Sequence, residues 1–247
     1  EQMTLFADLC ARRIETRTPI QYLLGEWDFY NISLSVSPPV LIPRPETEEL
    51  VDSLVKHYNG KNADRQIPRH FVDVGCGSGA IGLALLRAWP ESKATLIDIS
   101  DEAVNLTQKN AAQLGPEIFG RCEIVKCSVD EFRSDESVLD VVDLIVSNPP
   151  YIPRKDMDDL EDEVLKHEDF RALCGGNDGL DVVRACIRNA SKIARQGAEI
   201  WMEVDPSHPA LMRKWIEEST ESHSVEWLDS WTDLNNFDRF VRLRIKQ

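Results

Sequence analysis

The residues best suited to chemistry stand where an apolar run, Asp143 to Ser147, ends in Asn148, Pro149, Pro150 and Tyr151. The run predicts a buried strand, and the prolines stop it because neither can donate to a sheet ladder. Asn148 and Tyr151 are therefore expected at the strand's C-terminal lip, where open α/β sheets bind ligands. The Asn148 side-chain carbonyl and the Pro149 carbonyl are two acceptors of fixed direction, matched to the two hydrogens of a planar amino group. Such a pair would orient an amide or an aromatic amine. Tyr151 adds a ring face that can lie on a planar group and favour positive charge developing on its nitrogen. Alone, the four residues describe a strand-ending turn equally well.

A second pattern lies upstream, where Asp73 and Val74 lead into Gly75, Cys76, Gly77, Ser78 and Gly79. Glycines between a strand and a helix let a ligand approach the backbone without meeting a Cβ. The spacing lacks the G-x-G-x-x-G of dinucleotide sites and the G-K-[ST] of a P-loop. Asp98 ends the next strand, about 20 residues on, where an acid can accept from both ribose hydroxyls; helix capping is its competing role. Asp73 can brace the turn or reach an ammonium group. A cofactor with a ribose and an ammonium but no phosphates points to S-adenosylmethionine.

The elements that must position these groups alternate. Strands are expected at 71–74, 93–98, 122–126, 141–147 and 198–204, and helices at 80–88, 101–114 (capped by Ser100), 180–194 and 207–218, which implies a parallel, doubly wound sheet. Residues 224–228 and 239–245 suit an antiparallel pair at one edge. When the strand order reverses across the first strand, the glycine turn and Asn148 flank one crevice. The chemistry expected there is in-line methyl transfer from sulfonium to nitrogen, with the protein supplying alignment and desolvation. Acceptors on both N–H bonds of an amide would favour a geometry that frees its lone pair and would stabilise charge appearing on nitrogen.

Before the glycine turn, residues 1–17 suit an amphipathic helix, 26–37 a hairpin turning near Asn31, and 59–69 a polar linker. Four prolines between 38 and 45 predict a stiff, extended approach to a helix over 46–55. Arg44, Glu46 and Glu48 at its start are either a solvated helix terminus or part of the central site. Residues 155–169 are the most acidic stretch and read as a solvated face, with a lid or a rim for a basic partner as the alternative.

At 247 residues the chain can bury a full core, and its formal charge of -15 leaves no basic field to hold nucleic acid. The six cysteines show no C-x-x-C pair, so free thiols are expected, with neither disulfides nor a metal site. No segment approaches the roughly 20 apolar residues that cross a bilayer.

Together Pro43, Arg44, Pro45, Glu46, Thr47 and Glu48, the glycine turn, Asp98, and Asn148 to Tyr151 make the chain resemble the HemK/PrmC family from about Thr18 onward. Those enzymes methylate the side-chain N5 of the glutamine in the Gly-Gly-Gln motif of peptide-chain release factors. The resemblance implies a mostly parallel, seven-stranded, Rossmann-like class I S-adenosylmethionine-dependent methyltransferase over 46–247, with a helix remnant and β-hairpin linker over 1–45. It implies that Gly75, Cys76, Gly77, Ser78, Gly79 and Asp98, with Asp73, Ser128, Val129 and Asn148, hold the cofactor. Arg44, Glu46 and Thr47 would close over it. Asn148, Pro149, Pro150 and Tyr151 would hold the glutamine, with Asn148, Pro149 and Tyr151 serving catalysis. A monomer acting on a release factor is expected, without direct nucleic-acid or membrane contact.

Residues 25–29 and 203–209 look more like the eukaryotic organelle branch, which suggests mitochondria. Two features depart from the family. The family usually carries an N-terminal helical domain, of which residues 1–17 would supply the tail, and Ser128 stands where the family places an acid near the adenine, so either Asp130 substitutes or that contact is missing. Asn-Pro-Pro-Tyr also resembles the motif of adenine-N6 methyltransferases, which flip a base against the aromatic ring. A non-catalytic binding module is the third reading; it predicts a broken glycine turn or a lost Asn, and both motifs are intact.

Overall fold

The structure is a computed structural model that describes residues 2–60, 66–134 and 142–246. Its centre is a seven-stranded sheet built from β3 (His70–Val74), β4 (Lys93–Asp98), β5 (Cys122–Lys126), β6 (Val142–Ser147), β7 (Glu199–Glu203), β8 (Val225–Thr232) and β9 (Asp238–Ile245). The order is β5-β4-β3-β6-β7-β9-β8, parallel through β7 and antiparallel beyond it. A separate hairpin, β1 (Glu26–Phe29) and β2 (Ile32–Ser35), turns at Tyr30 and Asn31 as expected.

The two-residue period of the strands sorts the core into two layers. Phe71, Leu96, Leu144 and Trp201 face one way and pack with Leu50 and Leu54 of α2 (Pro45–Asn59) and Leu83 and Leu85 of α3 (Ala80–Ala88). Val72, Ile97, Ile145 and Met202 face the other way, onto α5 (Asp181–Ile193) and α6 (His208–Glu218). Helix α4 (Asp101–Gln113) follows β4, with the Ser100 hydroxyl accepting from Ala103 N at 3.3 Å as its N-cap. Strand and helix bounds from the sequence agree within a residue or two across this region.

The strand order places the site. Val74 pairs with Ile97 on one side and Ser147 on the other, so Gly75 and Asn148 leave the sheet as neighbours, each one residue past a registered pair. The crevice expected from a reversal at the first strand is present.

Elsewhere the structure departs from expectation. Strand β8 runs to Thr232 instead of Leu228; it is an edge strand with an irregular register, so its inward and outward residues do not alternate cleanly. The connector before the hairpin contains a helical turn, Ile20–Leu24. The linker expected at 59–69 lies partly outside the described residues, as do Glu1 and Val141.

The acidic stretch is only partly a solvated face. It folds into a 3-10 turn, Arg154–Asp159, and short helices, Asp162–His167 and Phe170–Leu173. Glu163 pairs with Arg13 of α1 (Gln2–Thr16) at 2.6 Å, and Glu168 is buried against Arg44. Asp158, Asp159 and Glu161 stay exposed. Pairing, which composition does not reveal, is what draws Glu168 inside.

Candidate active site

A cleft of about 370 Å³ opens at the C-terminal ends of β3 to β6. Of the residues singled out from the sequence, Gly75, Gly77, Asp98, Ser128, Val129, Asn148 and Pro150 line it. Val40, Ile99 and Arg171 line it too, without having been anticipated, as does Asp169 from the end of the acidic stretch.

The glycine turn is shaped by φ angles of +74° at Gly75 and +58° at Gly77, where a side chain would be strained. Gly77 N donates to Asp98 Oδ2 at 2.9 Å, and Ser100 N donates to Asp98 Oδ1 at 2.9 Å. Asp98 thus fixes both the turn and the start of α4, while each carboxylate oxygen retains lone-pair capacity toward the cleft. Its pKa is raised by burial, against the backbone donors.

Asp73 braces the helix that follows the glycine turn. Its Oδ2 accepts from Gly82 N at 2.9 Å, which braces α3 onto β3, while its buried Oδ1 has no partner. Burial pushes this carboxyl up to about 7. A cation brought beside Oδ1 would satisfy it and restore the ionised form.

Cys76, Ser78 and Gly79 act behind the cleft surface. Cys76 Sγ lies 3.6 Å from Thr107 Oγ1, the Ser78 carbonyl accepts from Asn110 Nδ2 at 2.8 Å, and Gly79 is the residue before α3. Asn110 also donates to Ser35 O at 3.0 Å and accepts from Ser35 N at 2.8 Å, so one buried amide ties the hairpin to the glycine turn. At the end of β5, the Ser128 hydroxyl accepts from Glu131 N at 3.3 Å and closes a local turn. Asp130 lines the same wall and accepts from Asn189 Nδ2 at 2.9 Å.

The acceptor corner is held by groups distant in sequence. Thr47 donates its hydroxyl hydrogen to Glu203 Oε2 at 2.7 Å, and Asn148 Nδ2 donates to Thr47 Oγ1 at 3.0 Å. An ionised carboxylate only accepts, so Thr47 must donate to it and present lone pairs to Asn148. That fixes the amide orientation. Asn148 Oδ1 and the Pro149 carbonyl accept nothing from the described residues. The Tyr151 hydroxyl donates to the other Glu203 oxygen, Oε1, at 3.4 Å, and burial beside Glu203 raises its pKa. Burial pushes Glu203 itself up to about 7, opposed by Thr47 and Arg239.

Glu203 was not singled out for chemistry, although an acid ending the apolar run Ile200, Trp201, Met202 was a readable signal. Arg44, Glu46, Thr47, Asp73, Pro149 and Tyr151 stand outside the cleft lining. Arg44 Nη2 donates to both Glu168 carboxylate oxygens, at 2.9 and 2.6 Å, and so anchors the proline-rich strap that brings Val40 to the cleft. Tyr22 Oη donating to Val40 O at 2.6 Å and Asp169 N to Pro39 O at 2.8 Å tie down the rest of the strap.

A second glycine loop, over residues 175–179, supports the corner from below and was not read from the sequence. Ile152 N donates to Leu173 O, Gly175 N to Ile152 O and Arg154 N to Gly176 O, at 2.7 to 2.9 Å. At Gly179, φ is +81° and a Cβ would stand 2.2 Å from the Tyr151 carbonyl oxygen. Only glycine permits that approach.

The comparisons with known proteins follow the same lines. A family profile described as Methyltransferase small domain matches residues 50–169. The release factor glutamine methyltransferase of Bacillus anthracis is 33% identical over 247 residues, covering 100% of this chain and 83% of its own length. This chain belongs to the release factor glutamine methyltransferase family. Another member, the Homo sapiens protein named MTRF1L release factor glutamine methyltransferase, is 39% identical over 220 residues, 88% of this chain. The match spans 64% of that human relative's length. P. horikoshii TYW2, solved in complex with MeSAdo, superposes with a TM-score of 0.57 at 13% identity over 90% of this chain and 70% of its own. The fold is that of class I S-adenosylmethionine-dependent methyltransferases.

Family and fold together imply S-adenosylmethionine, and the residues present fit it. The fit lies in the orphaned Asp73 Oδ1, the side-chain-free surface over Gly75 and Gly77, and the Asp98 carboxylate at the end of β4.

Proposed function

We propose that this protein methylates the side-chain amide nitrogen, N5, of the glutamine in the Gly-Gly-Gln motif of a peptide-chain release factor. One observation carries the reading: the Asn148 amide is anchored through its nitrogen to Thr47, which leaves Oδ1 as an oriented acceptor beside the glycine turn. A primary amide placed there meets two fixed carbonyls, Asn148 Oδ1 and Pro149 O.

S-adenosylmethionine supplies a methyl group made electrophilic by its positively charged sulfur. Gly75, Gly77 and Asp98 would hold its nucleoside portion and Asp73 its ammonium group, with Ser128, Val129 and Asp130 forming the adjoining wall. Asn148 and Pro149 accept from the substrate –NH2 and stabilise positive charge as it grows on nitrogen. The Tyr151 ring contributes a π face with its hydroxyl tied to Glu203. Methyl would replace one hydrogen on the nitrogen as its bond to sulfur breaks and the cofactor becomes a neutral thioether, and the proton, on a nitrogen made acidic by alkylation, would pass to solvent. The chain therefore supplies acceptors and orientation more than a strong base.

Residues 46–247 would carry catalysis, with 1–45 as an accessory segment. We propose a mitochondrial location on the likeness of residues 25–29 and 203–209 to the eukaryotic organelle branch; fractionation of cells expressing the full-length protein tests it.

The test of function is incubation with methyl-labelled S-adenosylmethionine and either a release factor or an adenine-containing oligonucleotide. Label should enter the release factor and vanish when Gly-Gly-Gln becomes Gly-Gly-Ala. Undiminished labelling of that variant, or label on the oligonucleotide, rejects the proposal. Asn148→Ala should abolish turnover while cofactor affinity stays within a few fold.

A further inference from the structure

We propose that the turn at residues 233–237 is a docking knob for the release-factor segment that flanks the acceptor glutamine, a segment presenting an apolar side chain beside cations. The proposal rests on the reading of function above and names the surface by which that substrate is held.

Leu234 is 86% exposed and Phe237 53%, and Leu234 is the most exposed large apolar side chain among the described residues. Such a pair at a hairpin tip ordinarily reflects a loose loop. This one is tightly held. The buried Asp233 accepts from Asn235 N and Phe237 N, both 2.9 Å, through Oδ1 and from Arg239 Nε, 3.0 Å, through Oδ2. Asp233 N donates to Phe237 O at 2.9 Å, Asn236 N to Asp233 O at 3.0 Å, and Leu234 N to Glu49 Oε2 at 2.9 Å. The apolar tip is ordered before any partner arrives, which lowers the entropic cost of binding. An exposed apolar pair on a rigid support has the character of an interface anchor.

Its place in the fold ties it to the acceptor corner. The Thr232–Asp238 pair ends β8 and β9 at the C-terminal lip of the sheet, and Val204 N donates to Arg239 O at 2.8 Å just past Glu203. Glu49, which holds Leu234, is two residues from Thr47, which holds Asn148. Arg239 bridges the two features: it pairs with Asp233, and Tyr151 and Glu203 both raise its pKa.

Charge selects the occupant. Glu46 and Glu48, on the same turns of α2, have no cationic partner among the described residues, and the chain carries a formal charge of -15. An apolar knob beside unpaired acids complements a basic protein segment and repels a phosphate backbone.

The test is steady-state methylation of an intact release factor by wild-type protein and by Leu234→Ser, Phe237→Ser and the double variant, with S-adenosylmethionine affinity measured alongside. The double variant should raise the KM for the release factor at least tenfold, with kcat within about twofold and cofactor affinity unchanged. An unchanged KM, or a KM rise matched by lost cofactor affinity, overturns the knob. If the wild-type protein labels no release factor, the functional reading falls and the knob with it. A labelled factor with an indifferent double variant removes the knob alone.

Discussion

Asn148 Nδ2 donates to Thr47 Oγ1 across 3.0 Å, joining two residues 101 positions apart in the chain. The first full turn of α2 therefore sets the direction of the amide that follows β6. Because Thr47 also donates to Glu203, its hydroxyl must act as acceptor and donor at once. Valine, of the same shape, can do neither. Thr47→Val should lower kcat for methylation by one to two orders of magnitude, while Thr47→Ser retains most of it. Equal loss in both variants would show that the methyl group matters as much as the hydroxyl.

Glu203 governs that orientation through its charge. When it is ionised it can only accept, and the Thr47 hydroxyl is fixed; when protonated it can donate and release Thr47. With its carboxyl pushed up to about 7, kcat at saturating cofactor should rise with pH through about 7, and Glu203→Gln should lower and flatten the profile. The groups acting on it are Thr47, Tyr151, Arg239 and Glu46. A retained limb near neutrality in the variant would assign the titration elsewhere.

The same burial sets a stability trend. Glu203 titrates near 4.5 when unfolded and about 7 when folded, so its carboxylate is disfavoured in the native state. The contribution of Glu203 to native stability is greatest below the unfolded value, falls as pH rises between the two, and is level above. The difference amounts to about 3 kcal/mol, at 1.36 kcal/mol per unit. Denaturation of Glu203→Gln in urea at pH 5 and pH 8 should show a smaller decline than wild type.

Asp73 predicts a proton-linked cofactor affinity. Its carboxyl stands at about 7 in the free protein, and an ammonium beside Oδ1 favours ionisation. Binding should release a proton below neutrality, so S-adenosylmethionine affinity should strengthen as pH rises from 6 to 8 and level off above. Calorimetry in buffers of different ionisation enthalpy reads the proton directly. Asp73→Asn should weaken binding and remove the dependence.

Gly179 tests the support beneath the acceptor corner. Gly179→Ala brings a Cβ to 2.2 Å from the Tyr151 carbonyl at a φ of +81°, so both strain and overlap apply. A destabilisation of about 3 kcal/mol, or roughly 6 to 12 °C in Tm, should accompany loss of turnover. Gly197→Ala has a similar φ of +80°, but its Cβ would meet only the Arg195 side chain at an ordinary 3.7 Å, and it should cost markedly less.

The sequence by itself determined the parts whose signals are local. Alternating apolar runs marked the central strands, the prolines ended β6 at Asn148, and the glycines marked the turn after β3. Each depends on neighbours one to four residues away, so each is readable without knowing the fold. Tertiary structure alone decided how those parts are joined. Glu203 meets Thr47 across 156 positions and Tyr151 across 52, and Arg44 meets Glu168 across 124. Hydrogen bonds of that reach exist only because β3 lies between β4 and β6, with β7 beside β6 and α2 laid over the same lip. A residue's type can show that it needs a partner; the strand order supplies which one.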